Sequence, residues 1–504
     1  MKIFSASQIR KWDDFTIKNE PISSIELMER AAQSCINWIL QKINSSQAFK
    51  IFCGTGNNGG DGLAIARMLI EKKVTIEIYI AGKETKGSQD FTTNLQRLKK
   101  ITDKIYFITS KETLPETGNT DIIIDALFGT GLNKKPSGIH SSIINYLNNS
   151  GNTIISIDMP SGMYADASSK ENIIIEARYT LSFQVQKLLF LMPENESYTG
   201  EVEILDIGLA KKFYEKENSN LFLVDEDLIK KIYVSRKQFS NKGNYGYACL
   251  IAGSYGMMGA AVLSSMACLR SGVGKLTSYI CKDCYEIMQT SVPEAMSKTF
   301  GKTFIKDIKD LSDFDVIGVG PGIGRHASHK QLLETIFKEF NKPTVIDADG
   351  LNSLSTTPSL YKKIPANSII TPHPKEFERL FGKTNNNFGQ MELAMNKAQE
   401  LKIFIVLKGH RTLIATPNGM GYFNSTGNAG MATAGAGDVL TGIITGLLAQ
   451  KYSSLHACIL GVYLHGLAGD LAAEKLSKEA MLAGDIIDYL GKGFLHFKKL
   501  LSAE

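Results

Sequence analysis

The chain has 504 residues, 43% of them hydrophobic, with 56 Lys and Arg against 51 Asp and Glu for a net charge of +5. That length allows two or three domains; the balanced charge leaves no basic tract for nucleic acid, and no run reaches the roughly 18 apolar residues of a membrane span. Seven scattered cysteines, with Cys281 and Cys284 in the one CxxC spacing, fit reduced thiols better than a disulfide framework or a zinc site, and with no apolar targeting region at the N-terminus a cytoplasmic enzyme is expected.

In chain order, Phe49–Cys53 reads as a buried strand, 63–71 as a helix and 74–80 as a second strand, together a βαβ unit. Between the first strand and the helix runs Gly54-Thr55-Gly56-Asn57-Asn58-Gly59-Gly60-Asp61-Gly62, and Glu77 follows in the second strand. Residues 54–59 match G-x-G-x-x-G, which alone points to a dinucleotide. Asn57, Asn58 and Asp61, however, put amides and a carboxylate where a pyrophosphate would meet bare backbone, unless Asp61 merely caps the helix. Strands at 121–124 and Thr153–Ile157 lead into Asp125 and Asp158, and 179–207 is strand-rich. The alternation predicts a mostly parallel sheet with helices on both faces and a ligand outside the strands' carboxyl ends. The polar stretch 211–220 is the best domain boundary.

A second α/β series follows, with strands at 248–252, Val316–Val319, 344–347 and 403–407 and helices at 260–270 and 439–449. Gly435-Ala436-Gly437-Asp438 opens the last of these helices. Successive N–H groups there can hold developing phosphate charge while the carboxylate takes a hydroxyl proton, and the helix dipole is expected to keep Asp438 ionised at neutral pH. Asp347 and Asp349 are expected to cap or hydrogen-bond the sheet end, and His326 and His329 to lie on the surface.

The run of GxGNNGGDG, Asp125-Ala126-Leu127-Phe128-Gly129-Thr130-Gly131 and Asp158-Met159-Pro160-Ser161-Gly162, with Leu27-Met28-Glu29-Arg30 upstream, resembles the NAD(P)H-hydrate epimerase family. That resemblance implies an acid/base role for Asp125 on a ring hydroxyl and potassium ligands at Asn58, Asp125 and Ser161. It also implies substrate contacts at Asn57, Asn58, Gly59, Gly60, Asp61, Gly129, Thr130, Gly131, Leu132, Asn133, Lys134, Lys135 and Asp158. The Gly-Ala-Gly-Asp loop is similar to that of the ribokinase-like superfamily. Lys242-Gly243-Asn244-Tyr245-Gly246, Gly320-Pro321-Gly322-Ile323-Gly324, Asp347-Ala348-Asp349-Gly350, Thr371-Pro372-His373-Pro374-Lys375-Glu376 and Leu407-Lys408-Gly409 occur in the order of the NAD(P)H-hydrate dehydratase family. Here the resemblance implies substrate contacts at Ala260, Gly322, His373 and Asp438, with Asp438 as base. Nucleotide contacts are implied at Lys408, Gly409, His410, Arg411, Thr412 and Gly437.

The expectation is therefore a Rossmann-like three-layer α/β epimerase domain over 1–212 and a ribokinase-like α/β dehydratase domain over 221–504. It interconverts the R and S hydrates of NADH and NADPH and dehydrates the S form at the expense of ADP, giving AMP and phosphate. K+ serves the first site and Mg2+ the second, and the chain is expected to form a homo-oligomer with no nucleic-acid or membrane partner. A small-alcohol kinase with an N-terminal binding module is the alternative at this point.

Overall fold

The computed structural model describes residues 1–44, 46–83 and 87–502. They fall into two compact units, one of residues 2–219 with 386–388, the other of residue 1 with 220–385 and 389–504. The division at 219/220 comes at the end of the polar stretch, which carries the short helix Lys211–Lys216.

The first unit is built on seven parallel strands in the spatial order Ile105–Ile108, Ile76–Ala81, Phe49–Cys53, Ile122–Ala126, Thr153–Ile157, Tyr179–Phe183, Glu201–Leu205. Alternate residues face opposite sides. Ile51, Ile78 and Ile124 pack on Ile36, Leu63 and Leu69 of helices Ser24–Lys42 and Asn57–Glu71. Phe52, Tyr79 and Ile123 pack on Ile143 and Leu147 of helix Ile139–Asn148. Three layers result. The chain leaves Phe49–Cys53 toward one edge of the sheet and returns on its other side at Ile122–Ala126, so the crevice outside these two strands is the topological switch point where such sheets bind ligands.

Two helices start earlier than their sequence predicts. Helix Asn57–Glu71 begins inside the glycine run, with Gly60 N–H donating to Gly56 as its first helical bond, so Asp61 sits in the second turn and caps nothing. Tight packing explains this against glycine's poor helix propensity: a Cβ on Gly59 would lie 1.8 Å from the Gly54 carbonyl oxygen, and one on Gly62 2.6 Å from the Ala126 Cβ. Helix Ala436–Ala449 likewise takes in Ala436 to Asp438. Strand Ile105–Ile108 and helix Gln89–Leu98, capped by Ser88, were not expected from the sequence, although Phe91, Leu95 and Leu98 recur at helical spacing and are buried.

In the second unit a parallel run of strands, Phe404–Leu407, Ile369–Ile370, Thr344–Ile346, Val316–Val319, Tyr247–Ile251, Lys275–Ile280 and Met296–Thr299, continues on its other side through the one reversed strand Leu413–Ala415 to Gly421–Phe423 and Leu221–Leu223, which run with the rest. Helices Met258–Arg270 and Ala436–Ala449 cross so closely that a Cβ on Gly442 would stand 2.1 Å from the Ser264 carbonyl oxygen. Helix Ser454–Leu476, mean hydropathy 1.3, is long and apolar enough to cross a membrane, which corrects the composition reading. Ala457, Leu460, Leu464 and Ala468 bury it in this unit's core, where such a helix is a structural element. Cys281 and Cys284 are buried and paired as a disulfide, where free thiols were expected; the other five cysteines are buried and unpaired.

Candidate active sites

At the switch point of the first unit lies a cavity of about 730 Å³. Its floor is the helix start from Gly56 to Asn58, where the first N–H groups have no helical acceptor, and one wall is the loop from Leu127 to Lys134. Asp61 and Asp158 also line it; Gly59, Gly60 and Lys135 do not. A Cβ on Gly129 would meet Asp158 Oδ2 at 3.2 Å and Asn58 Cγ at 3.3 Å, so these predicted residues converge on one point. Glu77 does not reach it. Paired with Lys50 at 3.0 Å near the amino end of its strand, it stands at the wrong end of the sheet for a ribose contact.

Asp125 lies beneath the cavity rather than on its wall. It is 0% exposed; Oδ2 accepts from Ser156 Oγ at 2.8 Å and from Ser161 N–H at 2.9 Å, and Oδ1 from Leu127 N–H at 3.3 Å. Burial raises its pKa against these hydrogen bonds. A carboxylate held this way, beneath the cavity and not on its wall, can bind a cation. Asn58 is 8% exposed, and neither its amide oxygen nor its amide nitrogen has a hydrogen-bond partner. Such groups are expensive to bury unpaired. With the Asp125 carboxylate and the Ser161 hydroxyl, itself bonded to Phe128 N–H at 2.8 Å, Asn58 forms a set of hard oxygen donors that fits a group-one cation.

Asp158 has a left-handed backbone, φ 68°, and its Oδ1 is 2.8 Å from the ammonium of Lys187, a side chain 2% exposed that also donates to Ser182 Oγ at 2.6 Å. No sequence pattern marks a buried lysine of this kind. Lys187→Met leaves Asp158 charged and unpaired, and we expect a loss of roughly 3–5 kcal/mol. Both tryptophans, Trp12 and Trp38, lie in this unit, so fluorescence-detected unfolding reads it alone; an unchanged midpoint would contradict the pairing.

In the second unit the sites come together around Asp347. Its Oδ1 accepts from Lys408 Nζ at 2.8 Å and its Oδ2 from Thr441 Oγ1 at 2.7 Å; Lys408 also lies 4.0 Å from Glu376. Asp347 thus holds Lys408 rather than capping the following helix. Asp349 accepts from Gly324 N–H at 3.0 Å, as a sheet-end bond. Gly435, φ 91°, takes a left-handed conformation that glycine adopts without strain, and it turns the chain so that Gly437 and Asp438 present unpaired N–H groups. A Cβ on Gly437 would stand 3.3 Å from Lys408 Nζ, so glycine there keeps the ammonium approachable. Ala260 and Gly322 adjoin, a Cβ on Gly322 meeting that of Ala260 at 2.9 Å.

The helix start does not hold Asp438 fully ionised at neutral pH as expected: burial, with Asp347, Asp349 and Glu376 nearby, pushes its pKa up to about 7 despite Lys408. His373 caps helix Pro374–Phe381, Nδ1 accepting from the N–H groups of Lys375 at 3.1 Å and Glu376 at 3.3 Å; burial and the cations Lys408 and Arg379 lower its pKa. Beyond Lys408, Thr412 Oγ1 donates to the Gly409 carbonyl at 2.8 Å and Arg411 to that of Ser425 at 2.8 Å, which shapes the predicted nucleotide loop; His410 is exposed. His329 is buried between the carbonyls of Gly324 and Ile305, at 3.0 and 3.1 Å, and is no surface residue; His326 is exposed, stacked on Phe304. His465, whose pKa burial pushes down to about 4, bonds the Ala436 carbonyl at 2.9 Å and steadies the loop from behind.

Comparison with known proteins gives a family for each unit. A family described as NAD(P)H-hydrate dehydratase matches residues 248–492, and one described as YjeF-related protein N-terminus matches 24–189. A protein of Moorella thermoacetica named bifunctional NAD(P)H-hydrate repair enzyme is 33% identical across 97% of this chain and 96% of its own length. One of the same name from Escherichia coli is 31% identical across 97% and 93%. The crystal structure of a Bacillus subtilis ADP/ATP-dependent NAD(P)H-hydrate dehydratase, co-crystallised with ATP and Mg2+, is 32% identical with a TM-score of 0.51. It covers 56% of this chain and 100% of that one. The second unit thus has the ribokinase-like dehydratase fold.

Proposed function

Because the chain belongs to the bifunctional NAD(P)H-hydrate repair enzymes, we propose that its first unit, about residues 1–212, interconverts the R and S hydrates of NADH and NADPH. The second unit, about residues 221–504, then dehydrates the S form with ADP. The observation that carries this is the meeting of Asp438, Lys408 and the Gly435–Gly437 turn at one helix start. Hydroxide is a poor leaving group. Asp438 takes the proton of the ring hydroxyl, whose oxygen attacks the terminal phosphorus of ADP as AMP departs. The N–H groups of Gly437 and Asp438 and the Lys408 ammonium hold the developing phosphate charge. The ring nitrogen then expels phosphate, carbon 5 loses a proton, and the dihydronicotinamide is restored. Ala260, Gly322 and His373 line the ring's side of the site, and the segment 408–412 the nucleotide's. Mg2+ reaches the site on the nucleotide's phosphates; among the described residues no group of three or more His, Cys, Asp or Glu side chains could hold a metal ion. Both substrates are soluble cofactors, which suits a cytoplasmic enzyme. The test is S hydrate with ADP and Mg2+: AMP and inorganic phosphate support the reading, while a stable phosphorylated organic product supports the kinase alternative.

In the first unit K+ would be held by Asn58, Asp125 and Ser161, where it supplies fixed positive charge beside the ligand; the unpartnered Asn58 amide supports this. The loop from Gly129 to Lys134 and the helix start from Asn57 to Asp61 would hold the hydrated dinucleotide, with Asp158. R-to-S interconversion is expected to run faster in potassium than in sodium, and dehydration to ignore the difference. Asn58→Leu should weaken the potassium response by at least roughly the 10–100-fold that loss of an outer-shell metal partner costs. Equal epimerisation rates of the unaltered enzyme in the two salts would remove the cation.

A further inference from the structure

The cavity of the first unit has a wall that no glycine-rich motif supplies. Helix Ala6–Asn19 lays Arg10, Asp13 and Asp14 along it. The helix is fixed on both sides of Asp13. Trp12, 2% exposed, donates its ring N–H to the Ala210 carbonyl at 2.9 Å, and Thr16, 0% exposed, accepts from Ala210 N–H at 3.0 Å. Asp13 is therefore held in place by contacts that reach almost 200 residues along the chain.

The carboxylates around the cavity differ in whether they are engaged. Asp158 is paired with Lys187, Asp90 accepts from Ser24 Oγ, and Asp125 lies below the floor with three donors. Asp14 is exposed. Asp13 and Asp61 line the cavity, and neither makes a side-chain hydrogen bond or ion pair with another described residue. The unpartnered, nine-tenths-buried amide of Asn58 borders the same space, so a bound cation or polar ligand group is needed to complete it.

We propose that Asp13 is the proton-transferring carboxylate of the first site, working across the cavity from Asp61. This rests on the epimerase reading of the first unit. As the hydrated ring opens, Asp13 takes the proton of the hydroxyl on carbon 6 and the bond from carbon 6 to the ring nitrogen breaks. The oxygen becomes an aldehyde carbonyl. The bond's electron pair passes to the nitrogen, conjugated with the ring carboxamide, and that nitrogen gains the proton held by Asp61. Rotation about the bond between carbons 5 and 6 presents the other carbonyl face. The same transfers in reverse close the ring in the opposite configuration and leave both carboxyls as they began. Electrostatics favour this division. Burial, with Asp158 and Asp14 repelling and Lys187 and Arg10 attracting, pushes Asp13 up to about 7, while burial with Asp158, Asp13 and Asp90 raises Asp61 well above the ordinary carboxyl range. Two carboxyls raised toward neutrality and facing one cavity can exchange protons with a ligand between them, one as base and the other as acid.

The experiment uses the full-length enzyme with R hydrate and no nucleotide, so that dehydration is silent, and separates the R and S forms over time. Asp13→Asn is expected to slow interconversion by roughly 10²–10⁴-fold, the range for loss of a general base, while ADP-dependent dehydration of S hydrate is unchanged. The unaltered enzyme's rate should rise with pH through about 7 as Asp13 ionises. Asp13→Glu, which keeps a carboxyl should the amide variant fold poorly, should retain part of the rate and move that limb. Undiminished interconversion by Asp13→Asn, or a limb unmoved by Asp13→Glu, overturns the proposal. No interconversion by the unaltered enzyme would instead overturn the epimerase reading itself.

Discussion

Asp438→Asn is expected to bind ADP normally and to dehydrate S hydrate roughly 10²–10⁴-fold more slowly, the usual cost of losing a general base. The side chain occupies the third position of helix Ala436–Ala449 and makes no capping hydrogen bond. If its role were only to complement the helix dipole, the change would cost about 0.3–1 kcal/mol of stability and leave turnover nearly untouched. The two accounts differ by orders of magnitude in rate, so ADP affinity and turnover measured together decide between them. A pH profile adds an independent reading. Burial and the surrounding carboxylates raise the Asp438 pKa to about 7, so the base form accumulates only as pH rises through that value. For the unaltered enzyme kcat/KM of dehydration, which reports the free enzyme, should therefore climb through about pH 7. In Asp438→Asn that limb should be gone. Near-normal turnover by the variant would remove Asp438 from the chemistry.

Gly59→Ala is expected to destabilise the first unit by roughly 3 kcal/mol or more and to abolish epimerisation with dehydration intact. Exchanging glycine for alanine inside a helix normally gains up to about 1 kcal/mol. Here the added Cβ would lie 1.8 Å from the Gly54 carbonyl oxygen and 2.6 Å from its carbon, and because both are backbone the loop under the cavity must move. Steric cost outweighs propensity. Gly56 makes the comparison clean, since a Cβ there meets nothing within 4 Å, and Gly56→Ala should leave the unfolding midpoint in place. Tryptophan fluorescence during urea unfolding reads both variants; equal midpoints for Gly59→Ala and the unaltered protein would contradict the packing described for this loop.

The strands were legible because buried parallel strands are nearly continuous apolar runs such as Ile122–Ala126 and Val316–Val319. Both glycine loops could be placed as well, each ahead of a helix, the first of them directly after strand Phe49–Cys53. Where those helices begin could not be read, because local propensity counts Gly59, Gly60 and Gly437 against helix; at Gly59 close packing on the Gly54 backbone decides for it. Residues that act through distant partners carried no local signal. Asp13 reaches the cavity only because Ala210 anchors Trp12 and Thr16, and Lys187 is a buried cation only because Asp158 and Ser182 face it. His329 looked like a surface residue at a helix start, yet its ring lies in the interior between the carbonyls of Gly324 and Ile305. The upward pull on the Asp438 pKa was missed for a related reason: the helix start was visible in sequence, whereas its burial and the carboxylates of Asp347, Asp349 and Glu376, which come from two other segments, were not.

The central claim is that one chain carries two successive activities, and R hydrate alone tests it most directly. The purified enzyme is given R hydrate, ADP, Mg2+ and K+, and the near-ultraviolet absorbance of dihydronicotinamide is followed beside the yields of AMP and phosphate. The account predicts that absorbance returns completely, with one AMP and one phosphate for each ring restored, because R hydrate must first become S. Recovery that stops at the trace of S hydrate present at the start, or nucleotide consumed without dihydronicotinamide, would contradict it.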